Sequence, residues 1–162
     1  MSQQLVRRAD RPGDLGWTVM AHGEIYAEQF GWNTDFEALV AKIVGDYATS
    51  HDPTREAAWI AEANGTRAGS IMLVATDDPA VAKLRILLVD PAARGLGLGA
   101  RLVEECLAFA RAADYQQVTL WTVAECVSAR RIYEAAGFTL TASAPHAGFG
   151  HPLTGQTWTK AL

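Results

Sequence analysis

The stretch Ala93–Leu102, "ARGLGLGARL", constrains the chain more than any other. Glycines at 95, 97 and 99 alternate with Leu96 and Leu98, and Arg94 stands ahead of them. Without Cβ atoms, successive backbone N–H groups can turn into one concavity, and a ligand can approach the main chain closely. The residues that follow are amphipathic. Leu98, Leu102, Cys106, Phe109 and Ala113 share one side, and Arg101, Glu104, Glu105 and Arg111 the other. That pattern predicts a helix over 98–113 whose positive dipole end opens on the glycines. A nest of N–H groups at a helix start, with a forked cation beside it, suits phosphate or pyrophosphate.

Two familiar phosphate motifs fit poorly. A Walker loop needs Lys-Ser/Thr after its last glycine, and Ala100-Arg101 stands there instead. "GLGLGA" satisfies the dinucleotide pattern on paper. Its first glycine should follow directly on a strand, but "DPAAR" intervenes. The chain also lacks the continuing strand–helix alternation of a dinucleotide-binding oxidoreductase.

The surrounding pattern predicts an α/β fold in the order β-α-α-β-β-β-α-β-α-β-β, with a mixed sheet of about seven strands. "VRRAD" (6–10) reads as a first strand, and 14–30 as a helix. Thr34 and Glu37 read as a capping box for a second helix. Asn64-Gly65 predicts the turn of a hairpin over 57–76. Lys83 and Arg85 alternate with Leu84 and Ile86 in a strand over 81–90, but Leu87, Leu88 and Val89 break the alternation. Such an end is either covered by helices or opens into a site. A strand over 116–122 and a helix stopped by Gly137 follow. The last two strands are expected at 138–145 and 155–161, joined by the loop "PHAGFGHPLTG".

The 162 residues suit one domain over the whole chain. A net charge of −4 argues against a nucleic-acid surface. No apolar run approaches the ~20 residues of a membrane helix, and "MSQQLVRRAD" has no secretory core. Cys106 and Cys126 form no CxxC pair, which suggests free thiols in a reducing cytoplasm. His146 and His151 lie in a glycine-rich segment without further ligands, so no metal is expected.

"LLVDPAARGLGLGARLVEECLAFAR" resembles the acetyl-CoA-binding motif of the GNAT acetyltransferases, with Arg94, Gly97 and Gly99 on its Arg/Gln-x-x-Gly-x-Gly/Ala signature. "ARRIYEAAGF" (129–138) resembles the family's second block. The likeness spans 55–140, and it implies the GNAT fold with a mostly antiparallel sheet. "HGEIYAEQFGW" and "PHAGFGH" are more similar to GNAT domains often fused to MarR-type repressors. No such DNA-binding segment precedes them, so a regulator is not expected.

The resemblance implies acetyl transfer from acetyl-CoA to a small-molecule amine. The thioester oxygen needs a donor where negative charge develops. In the family a backbone N–H at the end of the central strand supplies it, which maps to Leu88 or Val89, with Leu87 beside them pairing the pantetheine arm. Coenzyme contacts are implied for Arg94, Gly95, Leu96, Gly97, Leu98, Gly99 and Ala100, and for Cys126 and Ala129. Cys126 stands where the family often has a coenzyme-touching Asn. Tyr133 matches the usual acid; tyrosine, with a pKa of about 10, stays protonated at pH 7 and can serve a thiolate of pKa about 8.5.

The amine must also lose a proton. Glu28 is the first candidate base, with Glu24, His146 and His151 as alternatives. Tyr26 and Trp32 can wall an acceptor pocket or simply pack, and His146 and His151 are placed with them as substrate contacts. Trp59, Trp121 and Trp158 fall in strands as core, and Arg130 and Arg131 either meet the coenzyme's phosphates or, the preferred reading, pair with Glu134 at the surface. Many such relatives are dimers, so a homodimer is the assembly implied. The alternative function is a GNAT-fold module that binds acyl-CoA without catalysis.

Overall fold

The computed structural model describes residues 3–162. Its elements follow the expected order: β1 (Gln4–Arg8), α1 (Asp14–Phe30), α2 (Thr34–Ser50), β2 (Ala57–Ala63), β3 (Thr66–Ala75) and β4 (Val81–Val89), then α3 (Leu98–Ala112), β5 (Gln117–Val123), α4 (Val127–Ala135), β6 (Thr139–Gly148) and β7 (His151–Ala161). One seven-stranded sheet runs β1-β2-β3-β4-β5-β7-β6. Every pairing is antiparallel except β4 with β5. The predicted hairpin turn is present: Asn64 and Gly65 take φ of 53° and 79°, the left-handed pair that a two-residue turn needs.

Strand alternation sorts side chains into two layers. Trp59, Ile71, Leu73, Ala82 and Leu84 pack with Leu102, Val103 and Cys106 of α3 and with Tyr133 of α4. Ala58 and Met72 face the other way, against Val40 and Val44 of α2. Lys83 and Arg85 share that second face by the same period. The layer that covers it belongs to α1 and α2.

The central irregularity lies in β4. Ile86 adopts φ 50°, and the register with β3 slips between Ser70 and Met72. A β-branched residue in the left-handed region is strained by about 1–2 kcal/mol. This bulge is why the apolar alternation fails at Leu87–Val89. Beyond it, β4 and β5 part company: they pair only at Val81–Lys83 with Gln117–Thr119. The rest of the two strands forms a V with unpaired inner edges.

His22 of α1 packs behind the bulge and is fully buried. Its Nδ1 lies 2.7 Å from the Thr18 carbonyl, and Nε2 has no hydrogen-bond partner. Burial takes its pKa down to about 4, although the carbonyls of Thr18 and Ile86 pull upward. The imidazole is therefore neutral at pH 7, with its single proton donated from Nδ1 to Thr18. A second buried polar group fixes the start of α1. Asp14 accepts two bonds from Arg7 at 2.8 and 3.0 Å and one from Arg67 at 2.9 Å. Burial would raise this carboxyl, but the bonds from Arg7, the Arg11 N–H and Arg67 outweigh it and hold it below the usual carboxylate range.

Three local expectations change. The N-cap of α2 is Asn33, whose side chain accepts from the Asp35 N–H at 3.0 Å, so Thr34 is already inside the helix. The segment expected as a loop is strand on both sides of a two-residue turn, Phe149-Gly150, with φ of 57° and 87°. Its prolines do not prevent this. Pro145 lies on the edge strand β6, and Pro152 lies beyond the end of β5, so neither missing N–H leaves a ladder gap. Trp121 is not core: it is 40% exposed, whereas Trp59 and Trp158 are buried as expected.

Candidate active site

A cleft of about 680 Å³ opens over the V and runs to the start of α3. The glycines have separate reasons to be there. Gly95 and Gly97 take φ of 84° and 74°, and nothing lies within 4 Å of where a Cβ would point. They shape a curved, open backbone. Gly99 serves packing instead: a Cβ there would meet Ile132 Cδ1 of α4 at 2.5 Å. Gly97 is the N-cap of α3, and no side chain caps the helix. The N–H groups at the helix start, at Leu98, Gly99 and Ala100, are left for an external acceptor. Arg94 is exposed on the rim, with Nη2 3.3 Å from Gln29 Oε1 of α1. Leu96 turns away from the cleft and packs on the core, so only its backbone is available to a ligand.

The inner edge of β4 supplies further donors. The Asp90 N–H donates to Ala68 O on the β3 side, and Val89 is paired with Gly69 between that bond and the Leu88–Ser70 pair. Antiparallel bonds alternate, so the N–H and C=O of Val89 point away from β3 into the V, and those of Leu87 do the same. Leu88 points back to β3: its carbonyl would lie 2.8 Å from a Cβ on Gly69. All three of Leu87, Leu88 and Val89 line the cleft, but of the two backbone donors left open by the sequence the Leu88 N–H is directed to its pair with Ser70, and that of Val89 is free.

A second cleft of about 400 Å³ lies on the α1–α2 face. Tyr26, Leu87, Cys126 and Ala129 line both clefts and mark their junction. Tyr133 is buried against this second cleft, edge-on to Phe138 at 5.9 Å. Burial first, and then Tyr26, Cys126 and Cys106, push its hydroxyl well above 10, so it holds its proton at neutral pH. Burial pushes the Cys126 thiol up to about 11, so it stays a thiol.

Tyr26 and Trp32 both wall the second cleft. They stack at 5.2 Å with 11° between planes, and Phe36 and Phe149 pack edge-on to this pair or tilted against it. Tyr26 Oη is 3.5 Å from the Leu87 carbonyl. His146 also reaches the cleft, edge-on to Trp121 at 5.0 Å. Two expected residues do not come together with these. Glu28 is exposed on the outer side of α1 and lines neither cleft, because the helical phase that turns Tyr26 inward turns Glu28 out. His151 is exposed, and its Nε2 lies 3.1 Å from Gly31 O, pinning β7 to the α1–α2 turn.

The fold gives other residues a place in the site. Lys83 and Arg85 line the second cleft, and Arg131 lines the first. Glu125 accepts from the Thr154 N–H at 2.9 Å and fixes the turn beside Cys126. Arg130 is half-buried, with Nη1 donating to Ala124 O at 2.9 Å, so it serves the same turn rather than the surface. Among the described residues, no group of three or more His, Cys, Asp or Glu could hold a metal ion, and no helix is long and apolar enough to cross a membrane.

Against known proteins, residues 19–138 match the acetyltransferase (GNAT) family. The chain belongs to that family. It is 38% identical over 81 residues to a mycothiol acetyltransferase of Beutenbergia cavernae, a match that covers 50% of this chain and 27% of that protein. The chain thus spans about a quarter of that relative's length. A GNAT-family acetyltransferase structure from Staphylococcus aureus superposes with a TM-score of 0.81 at 17% identity, over 99% of both chains. A Salmonella typhimurium structure, named for acetyltransferase activity and solved with its cofactor acetyl-CoA, gives 0.70 at 21% identity, over 98% of this chain and 94% of that one. These likenesses show the same fold.

Proposed function

We propose that this GNAT chain is an acetyl-CoA-dependent N-acetyltransferase acting on a small-molecule amine by direct attack. The observation that carries this reading is the pairing of two features in one cleft: an uncapped, glycine-shaped helix start and a free β4 edge at Val89. Pyrophosphate at the helix start leaves the extended pantetheine arm to add along β4 like a short strand. The thioester oxygen then meets the N–H of Leu87 or of Val89, a preorganised donor for the charge of the tetrahedral intermediate. Leu88 is set aside as a donor.

The amine enters from the second cleft, whose volume and aromatic walls suit a small molecule. Its nitrogen bonds to the thioester carbon, and the C–S bond breaks. Tyr133 gives the departing sulfur its proton and regains one from solvent. His146 takes the proton that the nitrogen loses, because imidazole is the side chain suited to that task near neutral pH. Glu28 and His151 have no part. His22 is too weak a base once burial has lowered it to about 4. The free, buried thiols of Cys106 and Cys126 are consistent with a cytoplasmic setting.

The test is thiol release from acetyl-CoA across amines, amino acids and polyamines, with wild type and Tyr133→Phe. Amine-dependent release that falls in the variant supports the reading. Coenzyme A binding with no release on any amine would instead favour a non-catalytic acyl-CoA-binding module.

A further inference from the structure

Lys83 and Arg85 are the polar floor of the second cleft. Both are half-buried, and neither makes a salt bridge or side-chain hydrogen bond among the described residues. The carboxylate that most affects Arg85 is Asp46, which is exposed on α2 and bonded to Lys42 at 2.8 Å instead. No Asp or Glu lines this cleft among the described residues. Two cations have thus been partly withdrawn from water without a counter-ion, an expensive arrangement unless an anion completes it. Burial lowers both side chains from their ordinary values, Lys83 also through Arg85, which is the expected sign for unpaired cations.

We infer that Lys83 and Arg85 form the anion subsite of the acceptor cleft, so that the acceptor is an amine that also carries a carboxylate, with an apolar body against the aromatic wall. This rests on the acetyl-transfer reading for the amine but not for the anion. Placement supports the pairing. Lys83 is the last β4 residue paired with β5, at the closed end of the V, and Arg85 is two residues nearer its mouth. Arg85 and Leu87 are two positions apart, so at about 3.3 Å each its backbone is within roughly 7 Å of the open edge. A carboxylate gripped by Arg85 leaves an amine a few bonds away facing the junction at Leu87 and Cys126. The same two cations disfavour an ammonium nearby and so favour the neutral, nucleophilic amine. A polyamine, all cation, is the acceptor this floor repels.

The experiment has a binding arm and a kinetic arm. Binding uses 3-phenylpropionate and its neutral amide, which cannot be acetylated, read by fluorescence of the cleft residues Trp32 and Trp121 with wild type, Lys83→Met and Arg85→Gln. The acid is expected to bind at least about tenfold more tightly than the amide, with that preference lost in either variant, since one charge-assisted hydrogen bond is worth this much. Unchanged coenzyme A affinity in the variants shows that the fold is intact. The kinetic arm compares phenylalanine with phenylalaninamide by thiol release; the acid form is expected to have the higher kcat/KM, and Arg85→Gln to raise KM for it alone. Equal binding of acid and amide, or no binding of either, overturns the subsite. Selective acid binding without thiol release on any amine leaves the subsite standing and overturns the transferase reading.

Discussion

Acidification should destabilise this protein through one residue before its carboxylates begin to titrate. His22 is buried in the folded chain with a pKa near 4, against 6.5 when unfolded. Between those values the unfolded chain binds a proton that the folded chain refuses. The stability tied to His22 is therefore complete above pH 6.5 and is lost as pH falls toward 4. The whole gap is worth about 3 kcal/mol, and by pH 5 about 2 kcal/mol of it is gone. Asp14 is held below the ordinary carboxylate range, so its own loss falls below about pH 4, outside this window. The assay is urea unfolding at pH 7.5 and 5.0 for wild type and His22→Gln, which keeps a donor for Thr18 but does not titrate. Wild type should lose about 2 kcal/mol more than the variant over this interval, whatever the variant's absolute stability. Parallel losses in the two proteins would show that His22 does not carry the acid sensitivity, and the neutral-imidazole account of the bulge would fail.

Asp14→Ala removes a carboxylate with no exposed surface, leaving Arg7 with Glu62 alone at 2.6 Å and Arg67 without a carboxylate; urea unfolding at pH 7 should report a loss of about 3 kcal/mol. Gly97→Ala forces a side chain into φ 74°, and should lower stability by about 1–2 kcal/mol and weaken coenzyme A binding measured by calorimetry. An unchanged coenzyme affinity would separate that turn from the ligand. Tyr133→Phe should lower kcat by about 10²-fold with KM for acetyl-CoA little changed, as expected for loss of an acid used only in the transition state.

Sequence pattern carried the fold further than the site. The glycine run, the Asn64-Gly65 turn and the helical stripes each depend on neighbours within a few residues, and the structure has them where local spacing put them. The last hairpin was less legible, because Phe149 is an unusual residue for a left-handed turn and two flanking prolines read as loop. Lys83 and Arg85 alternate visibly with Leu84 and Ile86, but only the tertiary placement of α1 and α2 turns that polar face into a cleft floor. Trp121 fails for the same reason: Val118 and Leu120 take the positions of β5 that face α3, and the tryptophan lies on the other face, where it walls the second cleft rather than packing in core. Glu28 has the chemistry of a base, but the helical phase that carries Tyr26 inward turns Glu28 to solvent. Leu88 and Val89 could not be separated by composition, since only pairing with β3 tells which backbone edge stays free.

The central claim is that acetyl-CoA lies across the V, with its phosphates at the start of α3 and its thioester against the β4 edge. A crystal structure with acetyl-CoA tests this most directly. The account predicts pyrophosphate oxygens within hydrogen-bond reach of the N–H groups over 95–100, and the thioester oxygen on the N–H of Leu87 or Val89. A coenzyme bound elsewhere, or a thioester turned away from that edge, would contradict it.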